Sequence, residues 1–338
     1  MAQQKILIIV GPTASGKSGL AVRLAKKFNG EIISADSRQV YRGLDIGTGK
    51  ITRLEMRGVP HYLLDITNPK KQFSVAQYKL LADKFVRYIV RKDKLPIVVG
   101  GTGFYIDVLT GTTVFPDVPP NKLLRSKLNK FNKEKLFLML KKKDPRRAST
   151  IDRDNKVRLI RALEIIDVLG KVPTRLGHGV SKSSGEYVYI GLKPDNLDER
   201  IYKRLLKRLE PMIREGTKLH LQGLSYQRMH QLGLEYRYIA LYLQGKLSRE
   251  EMIGKLYIEI RRYAKRQMIW FSAKGGSASP EGGKRRERNK KIKWFKPDEY
   301  KKIENYLTKT LGGPTRTRTW NLAFGERCFT IETIGPYS

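Results

Sequence analysis

Short, unbroken apolar runs recur through the first hundred residues, separated by stretches whose apolar positions repeat at helical spacing. Lys5-Ile6-Leu7-Ile8-Ile9-Val10 is the first run, and a strand apolar on both faces belongs inside a parallel sheet. Leu20, Ala21, Leu24, Ala25 and Phe28 follow on one helical face. Glu31 to Ala35 reads as a second short buried strand, His61 to Ile66 as a third and Pro96 to Val99 as a fourth. Residues 42–60 are glycine-rich and read as irregular. Ser74 is placed to cap a helix in which Leu81, Phe85, Tyr88 and Ile89 share a face. Strands alternating with helices predict an α/β fold: a mostly parallel, right-handed sheet flanked by helices.

The pattern changes near Phe115 to Pro120. Residues 116–185 are helical in pattern and dense in Lys and Arg, with Lys141-Lys142-Lys143 and Arg146-Arg147 prominent. They read as a basic helical subdomain inserted into a core whose first part spans residues 1–115. Tyr187 to Leu192 returns to the sheet, and residues 186–311 complete the core. Leu197, Ile201, Leu205 and Leu209 mark an amphipathic helix with a basic outer face, and residues 218–271 continue in helical pattern. Residues 273–291 carry Gly, Ser and charge without periodicity and read as a flexible basic loop. Ile292 to Phe295 predicts a last strand and Asp298 to Leu311 a last helix. Residues 312–338 show no pattern and read as a disordered or spurious tail. There are no internal repeats.

Between the first strand and helix lies Gly11-Pro12-Thr13-Ala14-Ser15-Gly16-Lys17-Ser18, which fits G-x-x-x-x-G-K-[ST] without mismatch and in the required strand–loop–helix setting. The core is therefore expected to resemble a P-loop NTPase. Backbone N–H groups in such a loop wrap a phosphate, the helix N-terminus adds partial positive charge, Lys17 adds a full one, and the Ser18 hydroxyl is placed to hold Mg2+. The loop alone fits ATP or another nucleotide. Motor-type ATPases carry an acid at the end of a second apolar strand, but Pro96 to Val99 runs into Gly100-Gly101-Thr102 instead. The acid here is Asp36, after the second strand, an arrangement closer to a kinase or transferase. Asp36 has two readings: a turn residue beside Ser37, or a general base near the phosphate. Thr102, in a glycine turn at a strand end, is placed to donate to a phosphate oxygen.

Charge narrows the partner. The 338-residue chain has 68 Lys and Arg against 32 Asp and Glu, a net charge of +36. That excess favours a polyanion, and nucleic acid over membrane, because no apolar stretch reaches the length of a span. The single cysteine, Cys328, excludes an intramolecular disulfide framework and a cysteine-based zinc module. The N-terminus runs straight into the first strand, so no signal segment is expected and the cytoplasm is the predicted compartment. Nothing points to an obligate interface; a monomer is expected.

The ordered motifs resemble the tRNA dimethylallyltransferase (tRNA isopentenyltransferase) family from about Lys5 to Phe271. They are the phosphate loop, Asp36-Ser37-Arg38-Gln39-Val40-Tyr41, Leu44-Asp45-Ile46-Gly47-Thr48 and Gly100-Gly101-Thr102-Gly103-Phe104-Tyr105. Arg158-Leu159-Ile160-Arg161-Ala162-Leu163-Glu164 and Tyr263-Ala264-Lys265-Arg266-Gln267 complete the set. The resemblance implies an enzyme that transfers a dimethylallyl group from dimethylallyl diphosphate to N6 of the adenosine just 3′ of the tRNA anticodon, releasing diphosphate. It implies that Asp36 is the general base. The phosphate loop, Mg2+ at Ser18, Thr102 and Arg261 would then hold the diphosphate. It also implies that Asp36, Ser37, Arg38, Gln39, Thr102, Arg125 and the run Val157, Arg158, Leu159, Ile160, Arg161 contact tRNA, with the inserted subdomain gripping the anticodon stem-loop. Ile269 stands where the family commonly has Thr, residues 273–291 are longer and more basic than its usual link, and residues 312–338 match nothing in it. Rival readings are an adenylate isopentenyltransferase acting on free nucleotide, a small-molecule P-loop kinase, and a non-catalytic RNA-binding protein. The net charge and the basic insert weigh against the first, and the intact Lys17, Ser18, Asp36 and Thr102 against the last.

Overall fold

A computed structural model describes residues 4–113, 116, 118–173, 185–272 and 280–312. They fall into two compact units, one drawn from residues 1–112, 183–276 and 285–338, the other from residues 113–182 and 277–284.

Among the described residues the first unit holds six strands: β1 (Gln4–Val10), β2 (Gly30–Ser34), β3 (His61–Tyr62), β4 (Leu95–Val99), β5 (Gly185–Leu192) and β6 (Lys293–Phe295). They form one sheet in the order β3-β2-β4-β1-β5-β6, with every pairing parallel. β1 lies at the centre, with Ile8 opposite Val98 on one side and Tyr189 on the other. Helices α1 (Lys17–Lys27), α2 (Arg53–Met56), α3 (Val75–Arg91) and α4 (Gly103–Leu109) intervene between or follow these strands. Alternation along β1 divides the core: Leu7 and Ile9 pack with Leu24, Phe28 and Ile97, whereas Ile6, Ile8 and Val10 pack with Tyr78, Phe85 and Ile106. Each fully buried Leu or Ile contributes about 1.5–3 kcal/mol, which makes the strand intolerant of polar change.

Capping follows the sequence. Ser74 accepts the Gln77 N–H and the Gln77 side chain returns to the Ser74 N–H, a complete capping box at the start of α3. The strand expected from His61 to Ile66 ends at Tyr62, because Leu63 and Asp65 take left-handed backbone (φ 63° and 54°). The turn so formed brings Asp65 to Lys50, which also pairs with Asp45. Within residues 42–60, a single helical turn, α2, is held by a Thr52–Glu55 capping box.

The second unit holds α5 (Lys122–Asn129), α6 (Lys133–Lys143), α7 (Pro145–Ala148) and α8 (Lys156–Leu169). Leu128, Leu136, Leu140, Leu159, Ile160, Leu163 and Ile166 form its own core. In the first unit, α9 (Leu197–Leu221), α10 (Tyr226–Leu232), α11 (Leu234–Leu243) and α12 (Arg249–Phe271) build a helical layer around Leu205, Met212, Met229 and Leu256. Residues 280–290, read from sequence as part of a flexible loop, form helix α13 (Pro280–Lys290). Its Arg285 and Arg288 both pair with the fully buried Asp107 of α4. α14 (Tyr300–Leu311) is the last described element; of the expected tail, residues 312–338, all but Gly312 lies outside the described residues.

Candidate active site

The C-terminal ends of β1, β2, β4 and β5 open onto one cleft of about 920 Å3, the place where ligands bind in open parallel sheets. The phosphate loop forms one wall. Gly11 takes φ 144°, and a Cβ there would lie 2.5 Å from the Leu192 carbonyl oxygen. Only glycine allows that approach. Ala14 takes φ 60°, costly for a residue with a Cβ, and Arg200 steadies it by donating Nε–H to the Ala14 carbonyl at 2.9 Å. The Lys17 ammonium donates to the Pro12 carbonyl at 2.5 Å. Burial first, then the charge of Arg204, brings the Lys17 pKa down to about 7 against the opposing pull of Asp36.

Asp36 lines the same cleft. Its Oδ1 accepts the N–H groups of Arg38 (2.8 Å) and Gln39 (3.3 Å), so it caps its own turn while facing the loop. The two readings of Asp36 are therefore compatible. Arg38 and Gln39 line the cleft with it. Thr102 stands behind this turn and is not among the lining residues. Its Oγ1 accepts the Ser37 N–H at 3.1 Å and its own N–H donates to the Ala35 carbonyl at 3.2 Å. Thr102 thus ties the Asp36-Ser37 turn to the glycine turn after β4. Gly100 makes that junction possible: a Cβ there would lie 2.1 Å from the Ala35 oxygen.

The opposite wall comes from α9. Arg200, Arg204, Lys207 and Arg208 line the cleft, the three arginines spaced four apart beside the buried stripe Ile201, Leu205, Leu209. Arg204 donates to the Gly49 carbonyl at 3.3 Å and Arg208 to the Ile46 carbonyl at 2.7 Å. Burial and the neighbouring Arg208 lower the Arg204 pKa to about 10. Burial also lowers Arg208, countered by Glu235, and raises Glu235, countered by Arg208. Glu215 organises the loop that these arginines touch: its carboxylate accepts the N–H groups of Asp45 (2.9 Å), Ile46 (2.7 Å) and Gly47 (3.0 Å) and the Tyr236 hydroxyl (2.7 Å). That explains the glycine in Leu44-Asp45-Ile46-Gly47-Thr48, since a Cβ at 47 would lie 2.7 Å from the Tyr236 ring.

A family model described as IPP transferase matches residues 39–274. The chain belongs to the IPP transferase family. A tRNA dimethylallyltransferase of Thermoanaerobacter sp. (strain X514) is 42% identical over 317 residues, covering 89% of this chain and 94% of that protein. The solved tRNA isopentenylpyrophosphate transferase of Bacillus halodurans is 38% identical, covers 92% of this chain and 96% of its own, and superposes with a TM-score of 0.63. A eukaryotic dimethylallyltransferase solved acting on tRNA, at 24% identity and a TM-score of 0.74, shares the fold.

Of the residues expected of an IPP transferase, Thr13 to Ser18, Asp36, Arg38 and Gln39 line the cleft; Gly11, Pro12 and Ser37 do not, and neither does Arg261. It lines a separate shallow groove of about 340 Å3 on the outer face of α12 and pairs with Asp198 at 2.5 Å. Arg200, Arg204 and Arg208 of α9 line the cleft instead, as do Arg23, Arg38 and Arg57. The sequence signal was present: an arginine directly before Ile201, Leu205 and Leu209 in turn places a charged row along the edge of the buried stripe.

In the second unit, the expected run divides. Leu159 is 0% exposed and Ile160 6%, so helical periodicity turns both side chains into the core. Val157 and Arg158 face solvent. Arg125 makes a two-pronged pair with the buried Glu164, Nε to Oε1 at 2.6 Å and Nη2 to Oε2 at 2.7 Å. Arg161 joins the same carboxylate at 3.3 Å and donates to the Val118 carbonyl at 2.7 Å. Burial pushes the Glu164 pKa up, but these hydrogen bonds and the Asn121 N–H outweigh it and hold the group below its usual range. Arg146 is likewise committed to Asp144 and the Val172 carbonyl. Lys141, Lys142 and Lys143 are exposed.

Proposed function

We propose that this protein transfers the dimethylallyl group of dimethylallyl diphosphate to N6 of the adenosine just 3′ of the anticodon in tRNA, releasing diphosphate. The observation that carries this reading is the meeting, in a chain of the IPP transferase family, of the phosphate loop, Asp36 and the α9 arginines on one cleft. The allylic C–O bond breaks with its electron pair leaving on the diphosphate oxygen. Lys17, the loop N–H groups, Arg204 and Arg208 supply positive charge to that developing anion. N6 forms the new C–N bond and loses a proton to the Asp36 carboxylate. Thr102 acts by fixing the Asp36-Ser37 turn.

Mg2+ fits this donor set. Ser18 lines the cleft beside the loop. Among the described residues no three His, Cys, Asp or Glu side chains gather to make an all-protein cage; Mg2+ commonly takes few protein ligands and completes its octahedron with phosphate oxygens and water. Bound there, it would add charge beside the diphosphate.

tRNA binding draws on the net charge of +36 and on exposed lysines such as Lys141 to Lys143, which meet phosphates without reading sequence. The adenosine leaves the loop stack to reach the cleft. No helix among the described residues is long and apolar enough to cross a membrane, and we place the enzyme in the cytoplasm as a monomer. The test is mass spectrometry of nucleosides from unmodified tRNA incubated with the protein and dimethylallyl diphosphate, with AMP as competitor substrate. Dimethylallyladenosine in tRNA supports the reading. Turnover on AMP alone, or a requirement for ATP, would refute it.

A further inference from the structure

Arg208 and Glu215 both stand on α9, two helical turns and about 10 Å apart along its axis. One peptide group lies between them. The Gly47 N–H donates to the Glu215 carboxylate at 3.0 Å, and the Ile46 carbonyl of that same peptide accepts from Arg208 Nη1 at 2.7 Å. The N–H and C=O of a trans peptide point in opposite directions. A carboxylate at one end and a guanidinium at the other therefore polarise the group in the same sense and strengthen both bonds. The carboxylate is itself fixed by four donors, since it also takes the N–H groups of Asp45 and Ile46 at 2.9 and 2.7 Å and the Tyr236 hydroxyl at 2.7 Å.

Arg208 is held on one side only. Its Nε donates to the Arg204 carbonyl at 3.3 Å, and its Nη1 reaches the Gly47 carbonyl at 3.4 Å as well as that of Ile46. Nη2 donates to nothing among the described residues, and Arg208 lines the cleft. A guanidinium is a rigid planar fork, so fixing Nε and Nη1 also fixes the direction of Nη2. Glu215 is not among the lining residues.

We propose that Glu215 positions Arg208 for the diphosphate: through the Ile46–Gly47 peptide it fixes the guanidinium with Nη2 left to meet a phosphate oxygen. The proposal rests on the diphosphate reading given above. Arg208 makes the contact; Glu215 acts through it and is a positioning residue. A guanidinium held in place before the ligand arrives spares the entropy of ordering a long side chain on binding.

Inorganic pyrophosphate, tested as an inhibitor of prenyl transfer at fixed free Mg2+, reads that contact. Glu215→Gln keeps the shape of the side chain but turns one acceptor oxygen into a donor that faces backbone N–H groups. Its inhibition constant should rise about tenfold, the loss of one charge-assisted hydrogen bond. The KM for dimethylallyl diphosphate should rise with it, while the KM for tRNA stays within about twofold. Arg208→Met keeps the stem and drops the donors; it should raise the constant by a similar factor, and adding Glu215→Gln should raise it no further. A loop that was merely loosened would give independent, multiplying effects. A folded Glu215→Gln with the wild-type constant, an Arg208→Met protein inhibited as strongly as wild type, or effects that multiply in the double variant would each overturn the proposal. Should Glu215→Gln not fold, Glu215→Asp draws the carboxylate back by one methylene and should weaken pyrophosphate in the wild-type background but not beside Arg208→Met; multiplying effects there overturn the proposal equally. Failure of pyrophosphate to inhibit the wild-type protein would instead overturn the diphosphate reading itself.

Discussion

Lys17 offers a quantitative handle on the cleft. Burial and Arg204 bring its pKa from the ordinary 10.5 to about 7. A diphosphate beside the ammonium opposes both causes and returns the pKa towards or above its ordinary value. Between pH 7.5 and 9.5 the empty protein then holds Lys17 mostly neutral and the complex holds it charged, so binding takes up a proton. With a pKa near 7, the uptake approaches one proton at about pH 8.5 and falls to about a tenth at about pH 6. The affinity for a non-reacting dimethylallyl thiolodiphosphate should accordingly weaken about tenfold per pH unit across that window. Calorimetric titration in HEPES, Tris and TAPS, whose ionisation enthalpies differ, reads the proton directly. Lys17→Arg, which stays charged, should bind without uptake and with a flat profile. The same shift has a consequence for stability. Between pH 7 and 10.5 the unfolded chain binds the proton that folded Lys17 lacks, so this group's contribution to stability rises with pH over that window and is constant below it. A wild-type protein that takes up no proton at pH 8.5 and binds the analogue equally from pH 7.5 to 9.5 would refute the reasoning.

Three further outcomes are expected. Asp36→Ala should slow the single-turnover chemical step by about a hundredfold or more, the usual worth of a general base, with tRNA affinity nearly unchanged in filter binding; collapse of affinity with an intact chemical step would make Asp36 a binding residue. Arg208→Gln should raise the KM for dimethylallyl diphosphate and lower kcat, whereas Arg261→Gln, whose partner is Asp198 on another surface, should leave both within about twofold; steady-state kinetics of the two variants decides between α9 and α12 as the source of the phosphate arginine. Replacing Lys141, Lys142 and Lys143 with Gln should weaken tRNA binding and reduce the salt slope by up to about three, because fewer counterions are released, while Arg146→Gln should chiefly lower the melting temperature through loss of its Asp144 partner; an unchanged slope in the lysine variant would show that those charges only solvate the helix.

Elements whose signal is local were legible in the sequence. The run from Lys5 to Val10, the phosphate loop and the stripe from Leu20 to Phe28 specify strand, turn and helix by adjacent residues alone, and the structure has all three. Asp36 was legible because a strand end delivers it. What failed depends on distant partners. The left-handed turn at Leu63 and Asp65 is stabilised by Lys50, fifteen residues from Asp65. α13 carries no apolar period, and Arg285 and Arg288 hold it through Asp107, far away in sequence. Arg261 and the α9 arginines differ only in which helix face the packing turns toward the loop. Leu159 and Ile160 sit inside a motif that resemblance assigns wholly to RNA, yet their helical phase buries them.

The acids explain how so basic a chain keeps its charge for its substrate. Glu31 is fully buried and answers Lys92 and Lys94 with the Tyr62 hydroxyl; burial pushes its pKa up, but those hydrogen bonds prevail and hold it below its usual range. Asp107 answers Arg285 and Arg288, and Glu164 answers Arg125 and Arg161. Removing Asp107 strands two largely buried arginines, at a cost of about 3–5 kcal/mol, whereas the cations facing Glu31 and Glu164 are about a third exposed and solvent screens their loss. Glu215 is spent on three backbone N–H groups and a tyrosine. Glu31, Asp107 and Glu164 stand outside the cleft, whose lining sets Lys17, Arg200, Arg204, Lys207 and Arg208 beside the acids Asp36, Asp45, Glu55 and Glu235. A carboxylate set among that many cations is held close to the phosphate loop by field as well as by its own turn. A base that takes a proton from N6 as a diphosphate departs must sit within reach of both; of the other acids lining the cleft, Asp45 pairs with Lys50, Glu55 caps Thr52 and Glu235 faces Arg208, which leaves Asp36 for that role.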